Sequence, residues 1–270
     1  MRHALPLLLS LWAALVHAPL VHAQSAQAQS AQAQSAQAQP TQAQSRCRQA
    51  LALALDVSGS VDSAEYRMQI DGLAGALANP DVRRALLSQP QAPVDLTAYE
   101  WSSPDYQRTL LPWTAITDAA TLDTVIARLR AIRRVDAPPG TAIGSALQTG
   151  AALMAAHPGC WKQTLDVSGD GKHNMGPHPQ TQKTRLQAGG VTVNALVIGA
   201  DNPRRGTANA EDAQSLAGYF RAYVITGPGA FVETALGFHA YKEAMVRKLL
   251  RELEGLSLAQ AGPVRSGTGR

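Results

Sequence analysis

The segment LALALDVSGSVD (residues 51–62) joins an apolar run to three oxygen-bearing side chains spaced two residues apart. The run is continuous, which is typical of a strand buried on both faces of a parallel sheet. Asp56, Ser58 and Ser60 follow directly where that strand would end. Such a group fits a metal site, a phosphate-handling nucleophile or the N-cap of a helix. The choice among these three interpretations depends on which residues follow the other predicted strands.

Strand and helix patterns alternate along the rest of the chain. This order predicts an α/β fold, a doubly wound (Rossmann-like), mainly parallel sheet with helices on both faces. Strands are predicted over 50–56, 94–102, 106–113, 161–171, 190–199 and 221–226. Helices are predicted over 62–78, 118–134, 138–156 (after a turn), 180–189, 211–218 and 231–253. Binding sites in such sheets lie outside the carboxyl ends of the strands.

Two further segments place oxygens at that edge of the predicted sheet. Thr141 lies in PPGTA, ahead of a predicted helix, and Asp170 lies in SGDG, after a predicted strand. Two carboxylates with several hydroxyls suit Mg²⁺, Mn²⁺ or Ca²⁺ better than Zn²⁺. Because hydroxyls add no charge, a bound ion would be only partly neutralised and could still accept an outside carboxylate.

The motifs DVSGS, Gly140-Thr141 and Asp170-Gly171 resemble the metal-ion-dependent adhesion site of von Willebrand factor A domains. The resemblance covers roughly residues 50–253 and is strongest to an exported bacterial subfamily of uncharacterised role. It implies a six-stranded sheet with one antiparallel edge strand, in which the first and fourth strands are neighbours. The chain departs from the family pattern at Gly169, where many members carry Thr. Asp166 lies inside the fourth strand, where two interpretations remain open: a supporting role at the site, or pairing with a buried base.

The resemblance also implies roles for the site residues. The hydroxyls of Ser58, Ser60 and Thr141 would bind Mg²⁺ directly or nearly so, with Mn²⁺ or Ca²⁺ as the other candidate ions. Asp56 and Asp170 would act directly or through water. A protein partner would then supply an Asp or Glu to complete the coordination. The predicted function is therefore cation-dependent, adhesion-type protein binding.

Two cysteines, Cys47 and Cys160, precede the first and fourth predicted strands by similar distances. If those strands are parallel neighbours, the two sulfurs meet at one edge of the sheet. An exported protein encounters an oxidising compartment, so a disulfide is expected. Two reduced structural thiols are the alternative.

The two ends of the chain differ from its middle. Residues 1–23 read as a signal peptide cleaved after Ala23, with an uncleaved anchor as the alternative. The Gln/Ser/Ala repeat of residues 24–46 reads as a flexible linker and residues 257–270 as a disordered tail, because neither can bury enough apolar surface to fold. The von Willebrand A-type domain is predicted over residues 47–256. These patterns predict a periplasmic or secreted protein without a membrane span after signal cleavage.

Composition and motifs argue against other classes of function. The net charge of +4 is modest for 270 residues, so nucleic acid is not an expected partner. Asp56 resembles the nucleophile of phosphohydrolases, but Ser58 replaces the second Asp of their motif. A cryptic metal-dependent hydrolase, with His173 or His178 assisting, remains an alternative to the binding function. A structural domain with a stabilising ion is the other alternative.

Overall fold

The computed structural model describes residues 47–199 and 208–258. The predicted signal peptide, the predicted linker and residues 259–270 of the predicted tail lie outside this part of the chain. The last helix ends at Leu258, so the first two residues of the predicted tail are helical. Within the described ranges, no helix has the length and apolar character that a membrane span requires.

A six-stranded sheet forms the centre of the domain. Its strands are β1 (Gln49–Asp56), β2 (Val94–Trp101), β3 (Gln107–Ile116), β4 (Lys162–Gly169), β5 (Thr192–Ile198) and β6 (Val232–Ala235). Their order is β3-β2-β1-β4-β5-β6. Only β3, at one edge, runs antiparallel to its neighbour, and β1 pairs with both β2 and β4. This arrangement confirms the predicted fold class.

In the described ranges, seven α-helices cover the two faces of the sheet. They are α1 (Ser63–Leu77), α2 (Pro80–Leu87), α3 (Ala119–Ala131), α4 (Ile143–Ala155), α5 (Pro179–Ala188), α6 (Ala208–Tyr223) and α7 (Tyr241–Leu258). The beginning of α1 follows the sequence pattern, since Asp62 and Glu65 form a capping box. The loop between β1 and α1 is therefore held at both of its ends.

The alternation of Ala and Leu in β1 divides the interior into two cores. Leu51, Leu53 and Leu55 face the core shared with α1 and α7, whereas the alternating Ala50, Ala52 and Ala54 face the core shared with α4. Small residues on that face let α4 approach closely. A Cβ atom on Gly150 of α4 would lie only 2.4 Å from a methyl carbon of Leu165. Every residue of β1 is buried, as the continuous apolar run predicted.

The last third of the chain differs from the prediction in two places. Residues 221–226 were expected to form the last strand, but α6 continues to Tyr223 and only Thr226 makes an isolated bridge, to Val193. Phe220 and Val224 are both buried four residues apart, which is a helical spacing, and this packing outweighs the β propensity of the segment.

The sixth strand lies instead in the segment that was predicted to begin the last helix. Val232–Ala235 pairs with β5, and α7 starts only at Tyr241, after a short 3₁₀ turn. Gly237 separates the two with a φ of 90°, a backbone conformation incompatible with a continuing helix. The prediction of one helix over 231–253 is therefore wrong in its first ten residues.

A buried ionic cluster answers the question that Asp166 raised. Asp166 forms an ion pair with Lys248 of α7, which also binds Glu252 at 2.9 Å. Glu252 in turn accepts a hydrogen bond from the Asn194 side chain at 2.6 Å. All four residues are at most 3% exposed. Asp166 thus pairs with a buried base and fastens α7 to the middle of β4.

The predicted disulfide is present at the amino ends of the central strands. Cys47, just before β1, is bonded to Cys160, just before β4. The two cysteines are 113 positions apart in the sequence. The strands that follow them, β1 and β4, are neighbours in the sheet, as a bond between these cysteines requires. The prediction of a disulfide is confirmed, and the alternative of two reduced thiols is not what the structure shows.

Candidate metal centre

The carboxyl end of β1 is built around a buried carboxylate. Asp56 is the last residue of the strand and is fully buried. Its Oδ1 accepts a hydrogen bond of 2.8 Å from the backbone N–H of Ser58, and its backbone carbonyl accepts one of 2.9 Å from the side chain of Gln69 on α1. The loop therefore holds the side chain of Asp56, and the helix holds its backbone.

The two serines connect this loop to β4. The hydroxyls of Ser58 and Ser60 lie 3.2 Å apart. Ser60 Oγ donates a hydrogen bond of 2.7 Å to Oδ1 of Asp170, which immediately follows β4. Ser58 is buried, whereas Ser60 lies at the surface. The chain thus brings together two of its predicted motifs, separated by 110 positions, at a place that solvent can reach.

The third motif reaches the same edge from the loop before α4. The Thr141 backbone N–H donates to the side-chain oxygen of Asn174 at 2.9 Å, and the Asn174 N–H donates to the Thr141 carbonyl at 3.0 Å. A Cβ atom on Gly171 would lie 3.8 Å from the Thr141 hydroxyl, which places that hydroxyl beside the turn after Asp170. All five predicted site residues therefore meet at one edge of the sheet.

Asn174 is a residue that the sequence analysis missed. It clamps Thr141 through three hydrogen bonds, the third from its side-chain amide to the Thr141 hydroxyl at 3.5 Å, yet it lies in an irregular loop four residues beyond Asp170. An Asn in a loop is common, and nothing in the local pattern distinguishes this one. Only the fold shows that the loop turns back to the residue before α4.

The electrostatics of the site are those of two carboxylates in a poorly solvated place. Burial, reinforced by the nearby charge of Asp170, raises the pKa of Asp56 to about 8, although the hydrogen bonds from Ser58 act in the opposite direction. Burial also raises the pKa of Asp170, and the hydrogen bond from Ser60 opposes that shift. Within residues 47–199 and 208–258, neither carboxylate has an ion-pair partner.

One oxygen of Asp56 shows what this arrangement lacks. Oδ2 is buried and has no hydrogen-bond partner among the described residues. An uncompensated buried carboxylate oxygen is costly unless a donor or a cation meets it. The hydroxyls of Ser58, Ser60 and Thr141 lie at the same edge of the sheet as the two carboxylates, and together these oxygens fit a hard divalent cation.

The unusual Gly169 has a local explanation. A Cβ atom at this position would lie 3.1 Å from the ring of Phe220 on α6 and 3.4 Å from Oδ2 of Asp56. A threonine here would crowd the phenylalanine. The glycine and Phe220 are thus matched, and the match leaves Oδ2 of Asp56 without a neighbouring hydroxyl.

The two histidines near the site have other contacts. His178 caps α5, because its Nδ1 accepts the N–H of Gln180 at 3.2 Å, and its ring meets that of Tyr223 edge to face. Burial lowers the pKa of His173, whose ring lies 5.8 Å from that of His178. In the described part of the chain, these histidines do not join Asp56 and Asp170 in a cluster with metal-ligand spacing. The geometry gives no support to the zinc or general-base role considered for them.

Comparison with known proteins gives the chain its family. A family model described as "Protein of unknown function (DUF1194)" matches residues 46–257. The chain belongs to this family. A search of curated proteins found no match.

Solved structures show where the DUF1194 fold occurs elsewhere. Proximal thread matrix protein 1 from the mussel byssus is 18% identical, with a TM-score of 0.53 over 77% of this chain and 48% of that one. Another structure of that protein, described as having a zinc-occupied MIDAS motif, is 12% identical, with a TM-score of 0.52 over 77% and 46% of the two chains. MIDAS denotes the metal-ion-dependent adhesion site.

A bacterial adhesin shares the architecture as well. The pilus adhesin SpaC from Lactobacillus rhamnosus GG is 15% identical, with a TM-score of 0.52 over 78% of this chain and 30% of that one. The chain thus spans about half the length of the byssus protein and less than a third of the adhesin. The DUF1194 domain has the von Willebrand factor A-type fold that the motifs predicted. These neighbours are a matrix protein and an adhesin.

Proposed function

We propose that this domain binds a divalent cation at the carboxyl ends of β1 and β4 and uses it to bind a protein partner. The unpartnered, buried Oδ2 of Asp56 is the observation that carries the proposal. Ser58, Ser60 and Thr141 hold the ion through their hydroxyls, while Asp56 and Asp170 act directly or through water. The all-oxygen donor set favours Mg²⁺, with Mn²⁺ or Ca²⁺ as possible substitutes.

The charge of the site determines which partner group fits it. Two carboxylates balance a divalent cation formally, but Asp56 is buried inside the loop whereas Ser60 is exposed. The outward side of the ion therefore faces solvent and neutral hydroxyls. An Asp or Glu carboxylate of a partner protein is the ligand that such a hard, incompletely screened cation prefers.

The rim of the site suggests what surrounds that carboxylate. Met175 is 47% exposed, and its sulfur would lie 2.8 Å from a Cβ atom on Gly140, the residue before Thr141. Lys172, on the same loop, is also exposed. An apolar, adaptable side chain beside a cation site fits a partner segment in which the acidic residue is flanked by an apolar one.

The disulfide and the amino-terminal sequence support an exported location. A structural disulfide persists in oxidising surroundings, and residues 1–23 have the pattern of an export signal. We place the mature domain in the periplasm or outside the cell, carried on the linker of residues 24–46. Mg²⁺ and Ca²⁺ are both available there.

Calorimetric titration of Mg²⁺ into chelator-treated protein tests the metal site. We expect saturable binding with one ion per domain, and no binding by Asp56→Ala. Asp136→Ala is the matched control, because it removes an exposed carboxylate from the loop that leads to Thr141. A folded wild-type protein that binds none of Mg²⁺, Mn²⁺ and Ca²⁺ would disprove the proposal.

The same variant separates the remaining interpretations of the site. A binding domain loses Mg²⁺-dependent association with acidic partner peptides when Asp56 is replaced. A hydrolase loses turnover of phosphate or ester substrates. A purely structural ion changes only the free energy of unfolding.

A further inference from the structure

A second cluster of metal-ligand side chains lies at the opposite end of the sheet. Cys47, Cys160, Asp95 and His157 each offer one ligand atom, and these four atoms all lie within 4.8 Å of one another. In the structure the two cysteines are joined to each other, and His157 Nε2 lies 2.8 Å from Oδ2 of Asp95. This cluster contains none of the residues of the candidate metal centre.

Strand order explains why these residues meet. Cys47 precedes β1, Asp95 is the second residue of β2, and Cys160 precedes β4, while β1 lies between the other two strands. His157 follows the end of α4, which packs across this part of the sheet. Three adjacent parallel strands and one helix therefore deliver four ligands to one place.

Two details distinguish this cluster from a simple disulfide beside an ion pair. The Asp95 side chain is only 10% exposed, and its Oδ1 is buried without a hydrogen-bond partner among the described residues. The ring of His157 is stacked on Trp113 with a centroid distance of 4.3 Å and an interplanar angle of 13°, which fixes the plane of the imidazole. The cluster thus contains an unsatisfied carboxylate oxygen and an oriented nitrogen.

We propose that reduction of the disulfide converts this cluster into a Zn²⁺ site. Two thiolates, one imidazole and one carboxylate form a tetrahedral donor set that Zn²⁺ prefers over the hard cations. With bonds of about 2.0–2.3 Å, ligand atoms around zinc are separated by roughly 3.3–3.8 Å, so only small movements are required. The two ends of the sheet would then hold ions of different chemical classes.

A dithiol can serve as the reductant of the Cys47–Cys160 disulfide. One thiolate of the dithiol attacks Sγ of Cys160, forms a mixed disulfide and releases the thiolate of Cys47. The second thiol of the reductant then displaces Cys160 and leaves as an intramolecular disulfide. Zn²⁺ takes both sulfurs as thiolates, and the two thiol protons pass to solvent.

The surface provides access for that reductant. Cys160 is partly exposed, whereas Cys47 is only 2% exposed. An open groove of about 420 Å³ adjoins Cys160 and is lined in part by Trp161, Lys162 and Gln163. Attack is therefore directed to Cys160, and Cys47 becomes the buried leaving group.

Co²⁺ is the probe that tests the site, because thiolate-to-cobalt charge transfer gives a near-ultraviolet absorption band that oxygen ligands do not. The full chain is reduced with a phosphine, which competes weakly for metals, and is then titrated with Co²⁺. We expect one equivalent to produce the charge-transfer and tetrahedral visible bands, and Zn²⁺ to abolish them. Oxidised protein is expected to show neither band.

Variants assign the ligands and separate this site from the candidate metal centre. The reduced Asp56→Ala protein keeps the full cobalt spectrum, whereas Cys47→Ser with Cys160→Ser loses the near-ultraviolet band. His157→Gln weakens Co²⁺ binding about tenfold or more, and His178→Gln, a histidine outside the cluster, leaves it unchanged.

The result does not depend on whether the reduced chain stays folded. Circular dichroism follows the fold in parallel. If the reduced protein unfolds without metal, Co²⁺ or Zn²⁺ must restore the fold. Reduced protein that gives no charge-transfer band in either state, or an affinity unaffected by His157→Gln, would overturn the proposal.

Discussion

The two ends of β1 solve one structural problem in different ways. At each end, neighbouring parallel strands bring polar groups together, and the two places are separated by the eight residues of the strand, about 26 Å. At the amino end a covalent bond between Cys47 and Cys160 closes the gap. At the carboxyl end no covalent bond joins Asp56 to Asp170, and neither carboxylate has an ion-pair partner in residues 47–199 and 208–258. One end contributes mainly stability, and the other is open to a ligand.

Removing the disulfide is expected to have the largest effect on stability. The chain-entropy model gives about 4–5 kcal/mol for closing a loop of this length, so Cys47→Ser with Cys160→Ser should lower the free energy of unfolding by up to that amount. Urea denaturation of metal-free protein measures the loss. The Mg²⁺ affinity of the folded variant should change less than about threefold, because the two ends lie far apart. A large loss of Mg²⁺ affinity would show that the ends are coupled.

Adding Mg²⁺ should stabilise the protein from the other end. At a free concentration of one hundred times the dissociation constant, we expect a gain of about 2.7 kcal/mol in the free energy of unfolding. The gain should be equal in the wild type and in the cysteine variant, and absent in Asp56→Ala. Thermal unfolding with and without Mg²⁺ measures it. An equal gain in Asp56→Ala would place the ion elsewhere.

The pH dependence of metal-free protein should reveal the same carboxylate. The folded-state pKa of Asp56 is raised to about 8, whereas its unfolded pKa is near 4. The folded state therefore holds the proton more tightly, which adds to the free energy of unfolding. This contribution is complete below pH 4 and is lost as the pH rises through about 8. We expect the free energy of unfolding to fall by about 1.4 kcal/mol per pH unit above pH 5, with the slope decreasing as the pH approaches 8.

Asp56→Asn provides the control for this pH effect. It should remove most of the slope and, without metal, should make the protein more stable than the wild type at pH 8. Saturating Mg²⁺ should reverse that order, since only the wild type then gains an ion. Denaturation curves at several pH values decide between these outcomes.

Asn174→Ala should have the smallest effect. It removes the side-chain acceptor of the Thr141 N–H, and the lost hydrogen bond contributes about 1 kcal/mol. If the loop relaxes, this loss corresponds to a roughly fivefold weaker Mg²⁺ affinity. Gln180→Ala, an exposed amide in the same region, is the control. Unchanged affinity in Asn174→Ala would mean that Thr141 is positioned without this clamp.

Much of the structure at the two ends of β1 could be predicted, because both ends have local sequence signals. A continuous apolar run, a capping box and oxygen-bearing motifs predicted the strand, the helix and the meeting of Asp56 with Asp170. The helix α2, which was not predicted, also begins with a local signal: Asn79 is its N-cap and Pro80 occupies its first turn.

The features that the sequence could not decide depend on contacts between distant parts of the chain. The strand Val232–Ala235 has only four residues and no distinct pattern, and its pairing with β5 defines it. The pairing of Asp166 with Lys248 joins residues in different elements, as does the clamp of Asn174 on Thr141. The cluster of Asp95 and His157 with the cysteines likewise required the strand order to be known.

The position of the disulfide also has a mechanical consequence. A pull on the chain ahead of Cys47, opposed by a partner held at the far end of the sheet, acts along the strands. Because Cys47 is bonded to Cys160, the load is divided between β1 and β4 before it reaches the ladder of hydrogen bonds between them. Those bonds are then loaded in shear and resist together, whereas bonds pulled open from one end fail in succession. This arrangement suits a domain that carries tension between the proposed linker and the proposed ligand.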